Sequence, residues 1–153
     1  MQKIAATRKS PSPEPQIKRR ILIVDDHPLM RRGLTALIDS EPDLIVCAEA
    51  ATPRAGFEAI ASSQPDLVIT DLSMGDGDGA GLALINDIRS GYEDMPVLVL
   101  TTHDAPYYAR RAFAAGANGY VSKQELGETL LVAIRCVLNG EKFLSPKMSA
   151  DLA

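Results

Sequence analysis

Short apolar runs recur along this chain, and each ends on a polar residue. Ile21-Leu22-Ile23-Val24 runs into Asp25-Asp26, Leu67-Val68-Ile69-Thr70 into Asp71, Val97-Leu98-Val99-Leu100 into Thr101, and Gly119-Tyr120-Val121-Ser122 into Lys123. Runs this short and this rich in β-branched residues predict strands buried on both faces of a parallel sheet. Leu44 to Glu49 predicts one more strand.

Between these runs the apolar period becomes helical. His27-Pro28 opens a helix on which Leu29, Leu34, Leu37 and Ile38 recur, and Thr52 caps another, with Pro53 at its first position, through Ser63. Leu82, Ile85 and Ile88 mark a third helix ended by Ser90-Gly91, and Tyr107–Ala115 a fourth that stops at Gly116. Glu125–Leu138 predicts the last, with Leu126, Leu130, Ile134, Val137 and Leu138 on its apolar stripe, closed by Asn139-Gly140. Five strands, each followed by a helix, predict an α/β fold: a flavodoxin-like, doubly wound five-stranded parallel sheet in the order 2-1-3-4-5, helices on both faces. The ligand crevice of such a sheet lies outside the carboxyl ends of its strands, at the switch point between strands one and three. Asp25, Asp26 and Asp71 emerge there.

Composition narrows the class. With 46% apolar and 24% charged residues the chain is globular, and no apolar run reaches the roughly 18 residues of a membrane span. No signal-peptide pattern opens it, so the expected location is cytoplasmic. Residues 1–20 hold six basic residues and one acid, a balance of +5, which leaves −9 for the rest of a chain of net −4. An acidic body is a poor nucleic-acid binder. Residues 1–19, rich in Ser and Pro, are expected to be a disordered extension, 20–140 the folded domain, and 141–153 the start of a linker. Cys47 and Cys136 sit in apolar contexts and are expected to be buried and reduced.

Three carboxylates at one crevice repel one another unless a cation joins them, and an all-oxygen set suits Mg²⁺ or Mn²⁺. An Asp carboxylate can also act as a nucleophile toward a phosphoryl group. A metal and Lys123 would neutralise that group, and the Thr101 hydroxyl would donate to one of its oxygens.

The stretches Ile21–Pro28, Pro65–Met74, Val97–Thr101 and Gly116–Lys123, in this order and at these separations, resemble the receiver domain of two-component response regulators (the CheY-like fold), and most of all the NarL/FixJ class with its LuxR-type output. The resemblance covers about residues 20 to 147. It implies Asp71 as phosphoacceptor, Asp26 as the direct metal ligand, Asp25 as a partner that often acts through water, and the Ser73 backbone carbonyl as another ligand. It further implies Thr101 as the switch hydroxyl, Lys123 as the phosphate-binding lysine and Tyr120 as the aromatic that moves with the hydroxyl. By that resemblance the protein is not an enzyme with a free substrate. It takes a phosphoryl group from a sensor histidine kinase or phosphotransfer protein with Mg²⁺ bound, changes its surface, and assists only its own phosphorylation and dephosphorylation. Receiver–receiver contacts in this class admit a homodimer. DNA would be reached only through an output domain that these residues do not contain.

Two positions depart from the family pattern. Gly75 stands where Pro commonly follows Met, so Gly75–Gly79 is expected to be looser than a proline-anchored loop. Gln124 replaces a proline often absent in this class. The loose loop motivates an alternative, a phosphate-independent pseudo-receiver that serves as an interaction module. A phosphohydrolase would need a second acid two residues after the nucleophile, where this chain has Ser73. Asp76–Gly79 fails as a calcium loop because Ile85 falls where a bidentate Glu is required. Neither G-x-x-x-x-G-K-[ST] nor G-x-G-x-x-G occurs. His27 is expected to be a helix-start residue, His103 an exposed loop residue that could border the site, and Thr102 a structural residue facing away from it.

Overall fold

A computed structural model of the chain describes residues 17–75, 79–102, 106–146 and 149. The strands are β1 (Arg19–Val24), β2 (Leu44–Ala50), β3 (Leu67–Thr70), β4 (Val97–Thr101), β5 (Gly119–Ser122) and β6 (Phe143–Leu144). The helices are α1 (Pro28–Asp39), α2 (Pro53–Ser63), α3 (Gly79–Gly91), α4 (Pro106–Ala115) and α5 (Glu128–Leu138). All strand pairs are parallel, in the order β2-β1-β3-β4-β5-β6. This is the doubly wound parallel sheet expected from the sequence, with one short strand added at its edge. Among the described residues no helix is long and apolar enough to cross a membrane.

Period-two alternation divides the core. Ile21, Ile23, Ile69, Leu98, Leu100 and Val121 form one cluster with Leu34 and Ile38 of α1 and Leu130 and Ile134 of α5. Leu22, Val24, Val68, Val99 and Tyr120 form the other, with Ile60 of α2, Ile85 and Ile88 of α3, and Ala109 and Ala112 of α4. Because β3, β4 and β5 are buried throughout and β1 from Ile21 onward, these central strands place the site's polar groups at their carboxyl ends.

Several helix expectations shift. Thr52 Oγ1 accepts the Ala55 N–H at 3.1 Å, the cap expected for α2. Leu29, by contrast, is 81% exposed and contributes nothing to the α1 stripe. The last helix begins at Glu128, not Glu125: Lys123–Glu125 form a 3₁₀ turn, and Gly127 at φ +87° breaks the chain direction before α5. Leu126 therefore lies outside the stripe and is partly exposed. Cys47 and Cys136 are free thiols, but only half-buried, Cys47 on the edge strand β2 and Cys136 beside Glu141 and Lys142. The expected N-terminal extension (1–16 of it), His103, and Asp76 to Asp78 lie outside the described residues.

Within 141–153 the chain does more than leave the domain. Phe143 and Leu144 pair with Gly119 and Tyr120 of β5. Ser145 is fully buried and its Oγ donates to Glu125 Oε1 at 2.7 Å.

Candidate functional site

β1 and β3 run side by side and end together, which brings Asp25 and Asp71 to one crevice across 46 residues of sequence. The Asp71 N–H donates to Val24 O at 3.1 Å and the Asp25 N–H to Ala50 O at 3.0 Å, so each acid is fixed by the ladder it terminates. Both side chains are almost fully buried. Gly81 in α3 makes the fit possible. Its N–H donates to Leu72 O at 3.0 Å, and a Cβ there would run into the Asp71 carbonyl oxygen and Leu72 Cα.

Lys123 enters from the end of β5. Its Nζ donates to Asp71 Oδ2 at 2.7 Å and lies 2.8 Å from Asp25 Oδ2. Burial pushes the Asp25 carboxyl up, but hydrogen bonds from Lys123 and from His27 outweigh it, and the group ends below the ordinary carboxylate range. Burial likewise pulls the Lys123 ammonium down, and its bonds to Asp25 and Asp71 reverse this and hold it above an ordinary lysine. Both groups are charged at neutral pH.

The second acid of the pair behaves differently. Asp25 Oδ1 accepts the His27 N–H at 2.9 Å and faces His27 Nδ1 at 2.7 Å, so both of its oxygens are engaged. Asp26 Oδ2 accepts the Gly75 N–H at 3.0 Å, while Oδ1 is buried and receives no hydrogen bond from a described residue. His27 Nδ1 stands 3.1 Å from that Oδ1 and closer, 2.7 Å, to Asp25 Oδ1. A buried carboxylate oxygen without a donor is costly unless a cation meets it. Asp25, Asp26 and His27 place ligand atoms within 4.8 Å of one another, an acidic pocket that could hold a metal ion.

Of the loop expected to be loose, only Gly75 and Gly79 are among the described residues. The φ of Gly75 is +63°, and its N–H holds a site carboxylate. Proline could supply neither feature. At Gly75 itself the loop is anchored, through a backbone bond that sequence reading had no means of seeing. Met74 beside it is buried.

The remaining residues frame the crevice. The Ser73 N–H donates to Asp71 Oδ1 at 3.2 Å, which fixes the loop that carries the Ser73 carbonyl. Thr101 ends β4 and Tyr120 lies in β5; both are fully buried, and Tyr120 belongs to the cluster that contains Ala109 and Ala112 of α4. An open cleft of ≈ 470 Å³ is lined by His27, Leu29, Met30, Asp71, Ser73, Thr102 and Lys123. Thr102 therefore borders the site instead of facing away: β4 ends at Thr101, and strand alternation does not extend past its end. His27 also belongs to the crevice, and its signal was the sequence Asp-Asp-His itself.

With this geometry established, comparison with known proteins places the chain. The sequence profile of the response regulator receiver domain matches residues 21–135. The transcriptional regulatory protein UhpA of Salmonella typhimurium is 33% identical over 133 residues, which cover 87% of this chain and 65% of UhpA. This chain thus spans about two-thirds of that relative's length. The crystal structure of a LuxR-family two-component response regulator from Aurantimonas sp. SI85-9A1 superposes with a TM-score of 0.84 at 33% identity, over 88% of this chain and 95% of that one. RcsB from Salmonella enterica serovar Typhimurium, solved bound to promoter P1flhDC in the presence of the phosphomimetic BeF3-, superposes with a TM-score of 0.79 at 26% identity, over 88% of this chain and 66% of RcsB. With a strand-end acid pair, a third acid on the neighbouring strand and a lysine joining them, the chain belongs to the response regulator receiver domain family, in its LuxR-type (NarL/FixJ) class.

Proposed function

We propose that this domain is a phosphorylation-controlled switch and that Asp71 is its phosphoacceptor. The observation that carries the reading is the placement of Lys123 Nζ 2.7 Å from Asp71 Oδ2, beside the open inward oxygen of Asp26. The donor is a phosphohistidine on a sensor histidine kinase or phosphotransfer protein. An Asp71 carboxylate oxygen forms the new O–P bond as the P–N bond breaks, and the departing imidazole nitrogen keeps the electron pair and takes a proton.

Asp26, Asp71 and the Ser73 carbonyl would hold Mg²⁺, or Mn²⁺, directly, and Asp25 through water. That division is the one the family resemblance implies; in this structure Asp26 Oδ1 is the buried site oxygen that no described residue hydrogen-bonds, which supports Asp26 as a direct ligand. The bound ion supplies positive charge to the oxygens of the transferring group. Lys123 exchanges its contact with Asp71 for one with the phosphoryl oxygens. Thr101 donates its hydroxyl to another, and Tyr120 reports the movement of Thr101 toward α4 and β5.

The receiver takes in the expected 20–140 together with Arg19 of β1 and Phe143 to Ser145, which pack on β5 and Glu125, and the chain beyond them leads toward an output domain. Transcription is the proposed output, through a DNA-binding domain beyond these residues and with a homodimer as the working form. The pseudo-receiver alternative is motivated by a loose Gly75–Gly79 loop; Gly75 itself donates to Asp26, and Asp76 to Asp78 lie outside the described residues.

Intact mass after incubation with acetyl phosphate and Mg²⁺ tests the proposal. The expected result is one added phosphoryl group on the wild type and none on Asp71→Asn. An equal addition to both proteins would overturn the assignment of Asp71.

A further inference from the structure

His27 lies against the acidic pocket formed by Asp25 and Asp26. Its Nδ1 is 2.7 Å from Asp25 Oδ1, 3.1 Å from Asp26 Oδ1 and 4.0 Å from Asp71 Oδ2. Carboxylate oxygens this close require a hydrogen on Nδ1, because a nitrogen lone pair would face their own lone pairs. The positive end of an N–H dipole therefore fills the gap between the carboxylates. It satisfies Asp25 and leaves Asp26 Oδ1 without a donor among the described residues.

Mg²⁺ binds oxygen at about 2.1 Å and keeps several waters in an octahedral shell, so it needs more room than the bare ion. With Nδ1–H only 3.1 Å from Asp26 Oδ1, that shell and the imidazole compete for the same place. The ring has an exit. Its side chain is 61% exposed, and although His27 is the N-cap residue of α1, its side chain makes no capping bond to the helix. The ring can leave the pocket without costing α1 a bond.

We propose that His27 is a gate on the cation pocket. The ring fills the pocket in the metal-free protein and swings to solvent when Mg²⁺ meets Asp26. This rests on the reading of the pocket as the receiver's cation site. Breaking the Nδ1–H bond to Asp25 is then a fixed cost on metal binding, and the apparent affinity is set by the ring as well as by the acids. A hard, oxygen-preferring ion gains nothing from the nitrogen, so the ring leaves rather than ligates.

Calorimetric titration of the whole chain with Mg²⁺ alone, at one fixed pH, tests the gate on wild type and His27→Ala. The expected result is Mg²⁺ binding about three- to tenfold tighter in the variant. Equal affinity overturns the gate and leaves the cation site standing; weaker binding in the variant overturns it by making the ring a ligand or a brace. No Mg²⁺ binding by either protein overturns the cation site as well. The His27 ring resonances of the wild type give a readout that needs no variant. They should move toward those of a solvated imidazole as Mg²⁺ is added, and ring resonances unmoved by saturating Mg²⁺ overturn the gate.

Discussion

Lys123 Nζ donates to Asp71 Oδ2 at 2.7 Å, a contact across 52 residues that closes the crevice between β3 and β5. The same ammonium reaches Asp25 Oδ2 at 2.8 Å, so one cation holds two buried carboxylates together. Its removal leaves like charges at close range. Lys123→Met should lower metal-free stability near neutral pH by about 2–4 kcal/mol, as for breaking a buried pair. Denaturant unfolding without divalent ions checks this, and an unchanged midpoint would refute the pairing.

The pH dependence follows from the same contacts. Asp25 is held below its ordinary value, so its contribution is present above about pH 4 and is lost as pH falls through the lowered value. Lys123 is held above its ordinary value, so its contribution is present below about pH 10 and is lost as pH rises through the raised value. The contribution of this pair to stability should therefore be flat between these limits and fall at both ends. In Lys123→Met the acid limb should shrink, because burial still raises the Asp25 carboxyl while only the His27 bonds still lower it. A variant whose acid limb keeps its wild-type size would show that Lys123 is not what holds Asp25 below its ordinary value.

Mg²⁺ should bind the folded pocket and not the unfolded chain, and so raise the melting temperature. Asp26→Asn should remove most of that gain, because Asp26 carries the open inward oxygen. An undiminished Mg²⁺ response in this variant would place the ion elsewhere.

Gly75→Pro would restore the residue common in the family and should nevertheless weaken metal binding here. It deletes the N–H that donates to Asp26 Oδ2 and cannot adopt φ +63°. We expect a loss of about threefold to tenfold in Mg²⁺ affinity, measured by titration. Equal or tighter binding would mean that the Gly75 bond does not orient Asp26.

Gly81→Ala should be among the most damaging single-methyl additions, because a Cβ there meets the Asp71 carbonyl and Leu72 Cα, which are backbone and cannot rotate aside. A loss of about 1–3 kcal/mol is expected from overpacking, with the Asp71 turn displaced. Normal stability together with normal Mg²⁺ binding would show that α3 can shift at no cost.

Ser145→Ala should loosen β6. It removes the donor to Glu125 Oε1, two residues after Lys123, and should speed amide exchange at Phe143 and Leu144 by several fold, for about 1 kcal/mol lost. Exchange at wild-type rates would mean that strand pairing alone holds the segment.

The alternation of short apolar runs with helical periods determined the fold class and marked the strand ends at which Asp25, Asp26, Asp71, Thr101 and Lys123 stand. A buried parallel sheet shows its polar groups only where strands end, so strand ends could be read from the chain alone. What the sequence could not determine depends on contacts between distant residues or on backbone direction. Leu126 carries the helical spacing of α5, but Gly127 at φ +87° starts the helix later and leaves it outside. Leu29 fits the α1 stripe, but the sheet ends before reaching it, and it borders the cleft instead. Gly75 read as loose because a sequence does not show which acceptor its N–H meets; that acceptor, Asp26, lies 49 residues away. β6 is two residues long, too short for a periodic signal, and exists because the β5 edge and Glu125 offer partners. Hydrophobic periodicity is a local property and survives in one dimension, whereas hydrogen-bond partnership is decided only when the chain has folded.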